Sequence, residues 1–286
     1  MIFANQAGRF VLVVDDGIVD IEQASDGQFG PRPADVLDHW ADFLKWVSAA
    51  PRRVTGALDE EQLRAPSPTP RQVFGIGTNY RRHAEEVGWP IPEVPLTFTK
   101  FPSAVTGPVG EIEISGPRVD WEVETVVVIG ATARRVPRAE AWNHVAGVTL
   151  GQDLSDRDVQ NLPKANPQFS LGKSLPGFAP IGPFLVTPDA FADRDDIEIA
   201  CSINGNEIQR DSTSDLIFDV GELIAYLSGL VTLLPGDLIF TGTPAGVGLT
   251  MDPPRFLAAG DELVTTAPEI GTMRHRFVAA AAQQPS

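Results

Sequence analysis

Two glutamates one residue apart run straight into an apolar stretch, Asp120-Trp-Glu122-Val-Glu124-Thr-Val-Val-Val-Ile129. No other segment constrains the fold as much. From Thr125 to Ile129 only Thr125 is polar, which predicts a strand buried on both faces. The strand period of two then puts Glu122 and Glu124 on one face and Val123 on the other. Like charges side by side on a sheet repel, and a divalent cation removes that conflict. A solvated edge strand is the competing reading of an E-x-E pattern, and the apolar continuation argues against it.

Around this strand the chain is divided into short β-rich runs. Val73 to Ile76, Ile197 to Ile203 and Asp237 to Thr241 are further strand candidates, and Asn204-Gly205 is a two-residue hairpin turn. Helices are expected over Asn79 to Val87, Arg138 to Val145 and Asp219 to Leu230. With 26 Gly and 25 Pro, turns and short strands outweigh any helical bundle. The pattern is strand-dominated α+β.

Residues 1–70 read as a small N-terminal α+β domain, and 71–286 as a second, larger domain. Phe10 to Val14 and Ile18 to Ile21 flank an Asp-Gly hairpin turn, and Pro33 to Val47 has the apolar spacing of one helix capped by Asp35. The run Leu63-Arg-Ala-Pro-Ser-Pro-Thr-Pro70 is expected to be a stiff linker, without helix or ladder.

The formal charge of -16 argues against nucleic acid and against an anionic membrane surface. A single cysteine, Cys201, excludes an internal disulfide and a zinc knuckle. The first residues lack a basic segment followed by an apolar one, so the expected location is cytoplasmic.

Asp153, in Gly-Gln-Asp-Leu-Ser155, is a third ligand candidate beside Glu122 and Glu124, although a turn or cap role suits it equally. Three oxygen ligands favour magnesium or manganese, with calcium also a hard-cation option, over zinc. His83 and Glu86 share a helix face three residues apart, the spacing of a carboxylate-oriented general base or of a surface pair. Lys173 can offset negative charge near the carboxylates. The glycine-rich run Thr241 to Gly248 allows backbone N–H groups and Thr243 to approach an anion. Gly75-Ile-Gly77 lacks the third glycine of a dinucleotide fingerprint.

Taken in order, Gly75 to Glu86, Asp120 to Glu124, Gly151 to Gln160, Phe169 to Ser174, Asn204 to Gln209 and Leu234 to Gly248 resemble the fumarylacetoacetate hydrolase family over about residues 71–278. The resemblance implies a mixed β-sandwich roll, a homodimer, and magnesium or manganese on Glu122, Glu124 and Asp153. It implies a water-activating pair at His83 and Glu86 on a closing segment, and substrate contacts from Arg157, Gln160, Lys173 and Thr243. The activity implied is hydrolysis of a carbon–carbon bond in an acylpyruvate-like 2,4-dioxo acid. Lys173 and the cation would steady the enolate. Decarboxylation, hydration or isomerisation of a 2-oxo acid is the alternative on the same scaffold, and non-catalytic metabolite binding is a third reading. Gln152, where relatives often carry Asn, is expected to alter substrate preference. Loops around Trp89 to Thr97 and Pro163 to Gln168 are expected to set pocket size.

Overall fold

The strand Val123–Ile129 lies inside the largest sheet, as its apolar run requires, and all seven of its residues are buried. The computed structural model describes residues 1–161 and 166–280. Val123–Ile129 pairs antiparallel with Val145–Gln152 on one side and with Leu238–Phe240 on the other. The order continues through Ala179–Val186 to Ile2–Gln6, Arg9–Val14 and Gly17–Asp20 in one direction. In the other it runs through Val73–Gly77, parallel to Leu238–Phe240, and ends at Leu96–Thr99.

A second sheet, ordered Asn206–Ser212, Glu198–Ile203, Glu262–Ala267, Gly271–Ala279 and Val109–Ile114, packs against the first. Val123, Val148, Leu150 and Val186 meet Ile199, Ile203, Leu263 and Phe277 between them. Further along the same face, Val127, opposite Val148, packs with Ile129 and Ile239 on Leu223, Ile224 and Leu227 of the helix Val220–Leu230. The fold is therefore strand-rich α+β with packed sheets, as the sequence predicts. Asn204 and Gly205 take φ of 51° and 80°, the left-handed pair that a tight hairpin turn needs.

The N-terminal segment is hydrogen-bonded into the same sheet, because Ile2, Phe3 and Ala4 pair with Val186, Leu185 and Phe184. Phe3, Trp40 and Phe43 share one apolar cluster with Val126, Val128 and Phe240, so no gap in packing falls near residue 70. The 63–70 run differs from the expected bare linker. Leu63–Arg64, ahead of the prolines, forms a short ladder with Asn5 and Gln6. Ala65, Pro66 and Ser67 are buried, and Ser67 Oγ donates to the Gly236 carbonyl at 2.8 Å.

Two other expectations change. The single helix over 33–47 is broken into Pro33–Leu37 and Trp40–Ala49, with His39 at φ -124° between them. Asp35 is the third residue of the first piece and accepts from the Arg32 N–H, so it closes the turn from inside rather than capping it. Arg138–His144 winds as a 3₁₀ helix instead of an α-helix, and its longer rise per residue carries the chain to the strand starting at Val145.

Candidate active site

Strand register brings the three predicted acidic residues together. Glu124 lies opposite Gly151 and Val123 opposite Gln152. One step further, the Asp153 N–H donates to the Glu122 carbonyl at 2.9 Å, which makes Asp153 the cross-strand neighbour of Glu122. Opposite residues share a face and alternate residues share a face, so Glu122, Glu124 and Asp153 converge. Their carboxylate oxygens lie within 4.8 Å of one another, and all three residues are buried. Gly151 must lack a side chain here, since a β-carbon would meet Val126 at 2.5 Å and Phe240 at 2.7 Å.

Three buried cations surround the acids. Lys173 Nζ donates to Glu122 Oε2 and Asp153 Oδ2, both at 2.7 Å. Lys100 Nζ donates to Asp153 Oδ1 at 2.5 Å from a position with no solvent exposure. Arg157 donates to Asp120 at 2.9 Å, to Glu122 at 2.7 Å and to the Gln160 side-chain oxygen at 3.0 Å. Among the described residues four carboxylates thus face three cations, leaving one formal negative charge if all are ionised.

That surplus falls on Glu124. Burial and the neighbouring Asp153 and Glu122 push its carboxyl well above the ordinary range, against one N–H from Gly242 at 2.8 Å. Burial also opposes the charge of Glu122, but Lys173 and Arg157 outweigh it and bring its pKa to about 2. Burial depresses Lys100 despite Asp153, whereas Asp153 and Glu122 overcome burial at Lys173 and hold its ammonium above the usual range. A hard-oxygen set with one uncompensated buried charge fits a divalent cation. Held there, the ion would rest on Glu122, Glu124 and Asp153.

Beside these acids is a cavity of about 330 Å³ that also takes in His83, Arg157, Gln160, Lys173 and Thr243. His83 and Glu86 lie on the helix Arg81–Val87, with His83 Nδ1 2.9 Å from Glu86 Oε2. Glu86 Oε1 also accepts from the Gly246 N–H at 2.9 Å and the Thr250 hydroxyl at 2.7 Å. Burial disfavours its charge, yet the bonds from His83, Thr250 and Gly246 together hold it below the usual carboxylate value. Thr243 Oγ1 accepts from Gln209 Nε2 at 2.9 Å.

Gln152 faces away from this space. It accepts from the Glu122 N–H at 3.0 Å and donates to Thr265 at 2.9 Å, a bridge between sheets rather than a wall of the cavity. Of the two expected pocket segments, Trp89, Leu96 and Pro167 line the cavity, while Pro163, Lys164 and Ala165 lie outside the described residues. Sequence reasoning missed Lys100, the brace of Asp153, and Gln209, which holds Thr243. Lys100 follows a strand with three exposed positions, so nothing local marks it as buried.

The family profile described as Fumarylacetoacetate (FAA) hydrolase C-terminal matches residues 72–278. The chain is 42% identical over 221 residues to the mitochondrial oxaloacetate tautomerase FAHD2A of Bos taurus, covering 77% of this chain and 70% of that protein. Among solved structures, a Mycobacterium smegmatis protein provisionally labelled HpcE has a TM-score of 0.93 at 50% identity, with 98% of this chain and 100% of that one covered. Fumarylpyruvate hydrolase from Pseudomonas aeruginosa, in complex with Mn2+ and pyruvate, has a TM-score of 0.67 at 31% identity, with 74% and 91% covered.

Proposed function

The chain belongs to the fumarylacetoacetate hydrolase family, and from that premise we propose a divalent-metal-dependent hydrolase that cleaves a carbon–carbon bond in acylpyruvate-like 2-oxo acids. The observation that carries this reading is the His83–Glu86 pair at the cavity of Glu122, Arg157 and Lys173. With the Nδ1 proton held by Glu86, Nε2 is the basic nitrogen of the ring. His83 then takes a proton from water as its oxygen attacks the distal carbonyl. The bond from that carbonyl carbon to C3 breaks, and its electron pair stays on C3 in conjugation with the 2-oxo group. C3 takes back the proton, giving a carboxylic acid and pyruvate or a substituted 2-oxo acid.

Lys173, kept cationic by its two carboxylate partners, faces the negative charge that develops on the 2-oxo oxygen. The Thr243 hydroxyl and the Gln160 amide orient the substrate carboxylate. Magnesium or manganese bound at Glu122, Glu124 and Asp153 supplies Lewis acidity toward the substrate oxygens. We also infer a homodimer of the 30.7 kDa chain, which light scattering tests.

The bovine and human tautomerases favour a second reading, in which His83 moves a proton between C3 and oxygen of oxaloacetate without attack by water. Acetylpyruvate, fumarylpyruvate and enol-oxaloacetate, each assayed with Mn2+-loaded and chelator-treated protein, separate the two. Metal-dependent pyruvate release, lowered at least about a hundredfold by His83→Ala with Mn2+ binding retained, is expected. Loss of the enol without any cleavage makes the protein a tautomerase. Full activity in His83→Ala removes the proposed base from both readings.

A further inference from the structure

The Gly75-Ile-Gly77 run has no place in the metal or base chemistry, yet it shapes the cavity. Leu96–Thr99 pairs antiparallel with Val73–Gly77, so that Phe98 lies opposite Gly75 and Leu96 opposite Gly77. Opposite and alternate residues share a face, which puts all four on one side of the sheet. A β-carbon on Gly75 would come within 2.3 Å of the Phe98 ring, and one on Gly77 within 3.0 Å of Leu96 Cδ2. The two glycines therefore let both side chains lie flat across the neighbouring strand, and both line the cavity.

We propose that this glycine-seated pair, Phe98 and Leu96, is the floor of a subsite for an apolar acyl group, so that the preferred substrates are 2-oxo acids carrying an alkyl or aryl acyl chain rather than a second carboxylate. This rests on the reading that a 2-oxo acid head sits at the carboxylate cluster. Phe98 is close to that end, its ring centre 5.0 Å from Lys173 Nζ. Phe169 extends the surface with a ring 6.2 Å from Phe98. Val87, the last residue of the His83 helix, and Trp89, just past it, complete the wall. Trp89 and Leu96 are 51% and 43% exposed, apolar area at the cavity that an acyl chain would cover.

Charge points the same way. Among the described lining residues the permanent cations are Arg157 and Lys173, and both already hold carboxylates of the protein. A second substrate carboxylate against Phe98 and Leu96 would lose water without gaining a free cation among the described lining residues.

The test measures kcat/KM and, separately, calorimetric binding to the Mn2+-loaded protein. The series is acetyl-, butanoyl-, hexanoyl- and benzoylpyruvate, with fumarylpyruvate and oxaloacetate as diacids. Each added methylene is expected to strengthen binding and raise kcat/KM by about fourfold until the wall is covered, with the diacids at least tenfold below hexanoylpyruvate. Phe98→Ala should cut the benzoyl-to-acetyl ratio about tenfold. Leu96→Ala tests the same floor if the first variant folds poorly, and Gly75→Ala should shift preference toward the shortest chain by lifting Phe98. Diacids that bind as well as hexanoylpyruvate, or a flat chain-length series, overturn the subsite even if acetylpyruvate is cleaved. The expected binding order without turnover upholds the subsite and instead defeats the hydrolase reading.

Discussion

Glu124 is the carboxyl that the three neighbouring cations leave unpaired, its ionisation opposed by burial and by Asp153 and Glu122, and its role follows from that. Glu124→Gln keeps the shape and removes the unfavourable ionisation. Metal-free protein should therefore be at least as stable in this variant, while Mn2+ affinity by calorimetry drops more than tenfold. Unchanged affinity would take Glu124 out of the ligand set. The glutamates and Asp153 were legible in the sequence because period two and the apolar run express strand geometry directly. Lys100 was not, because its burial depends on a strand partner and on Asp153, far away in the chain. His275 shows the same limit. Its Nε2–H donates to the Gly107 carbonyl at 2.9 Å, and its buried Nδ1 has no partner among the described residues. Burial, opposed only by that hydrogen bond, lowers its pKa from 6.5 to about 4. The neutral ring is what folding favours, so its contribution is fully present above pH 6.5 and is lost as pH falls through about 4. The loss amounts to about 3 kcal/mol. Urea titrations at pH 7.5 and 4.5 should show a smaller drop for His275→Gln than for the parent chain. Equal drops would mean the ring does not stay neutral.

Among the elements, those with a strong local signal appeared where expected. The helix Val220–Leu230 begins with Asp219 accepting from the Glu222 N–H at 2.8 Å, while Glu222 accepts from the Asp219 N–H at 3.1 Å. That reciprocal cap is written in the sequence, Asp-Val-Gly-Glu. The 33–49 region was less legible, because the break at Asp38-His39 is imposed by packing on the sheet and not by proline or glycine. The same distinction predicts the effect of Asp219→Ala. It removes a cap worth about 1 kcal/mol, and Arg138 adds little because its ion pair is exposed. The helix supports the back of the ligand strand through Leu223, Ile224 and Leu227 and does not reach the cavity. The urea midpoint should fall accordingly, with kcat/KM at 20 °C unchanged. A large loss of activity at equal folded fraction would show that the helix does more than buttress.

For the whole molecule, the first 70 residues matter because the chain crosses back over itself. Their composition and the proline run suggest a separable unit, but hydrogen bonds join Ile2, Phe3 and Ala4 to the Ala179–Val186 strand. That strand also borders Val145–Gln152, the strand that leads into Asp153. Phe3 is fully buried and stacks on Phe10 at 5.2 Å, in contact range of Trp40 and Phe43 at 5.6 and 5.4 Å between ring centres. Such long-range pairing is invisible to a reading of periodicity, which sees each strand but not its neighbour. A chain beginning at Arg71 would expose the edge of Ala179–Val186 and the apolar face formed by Val126, Val128 and Phe240. An unpaired edge beside an apolar face promotes aggregation. The truncated chain should therefore be insoluble or lack a cooperative thermal transition. Phe3→Ala in the full chain tests the same coupling more gently. It should cost about 3–5 kcal/mol and lower thermal stability, with Mn2+ affinity at 20 °C retained while the protein stays folded. A soluble, cooperatively folding 71–286 fragment that binds Mn2+ as tightly as the full chain would instead establish two independent domains and confine the N-terminal segment to a dispensable layer.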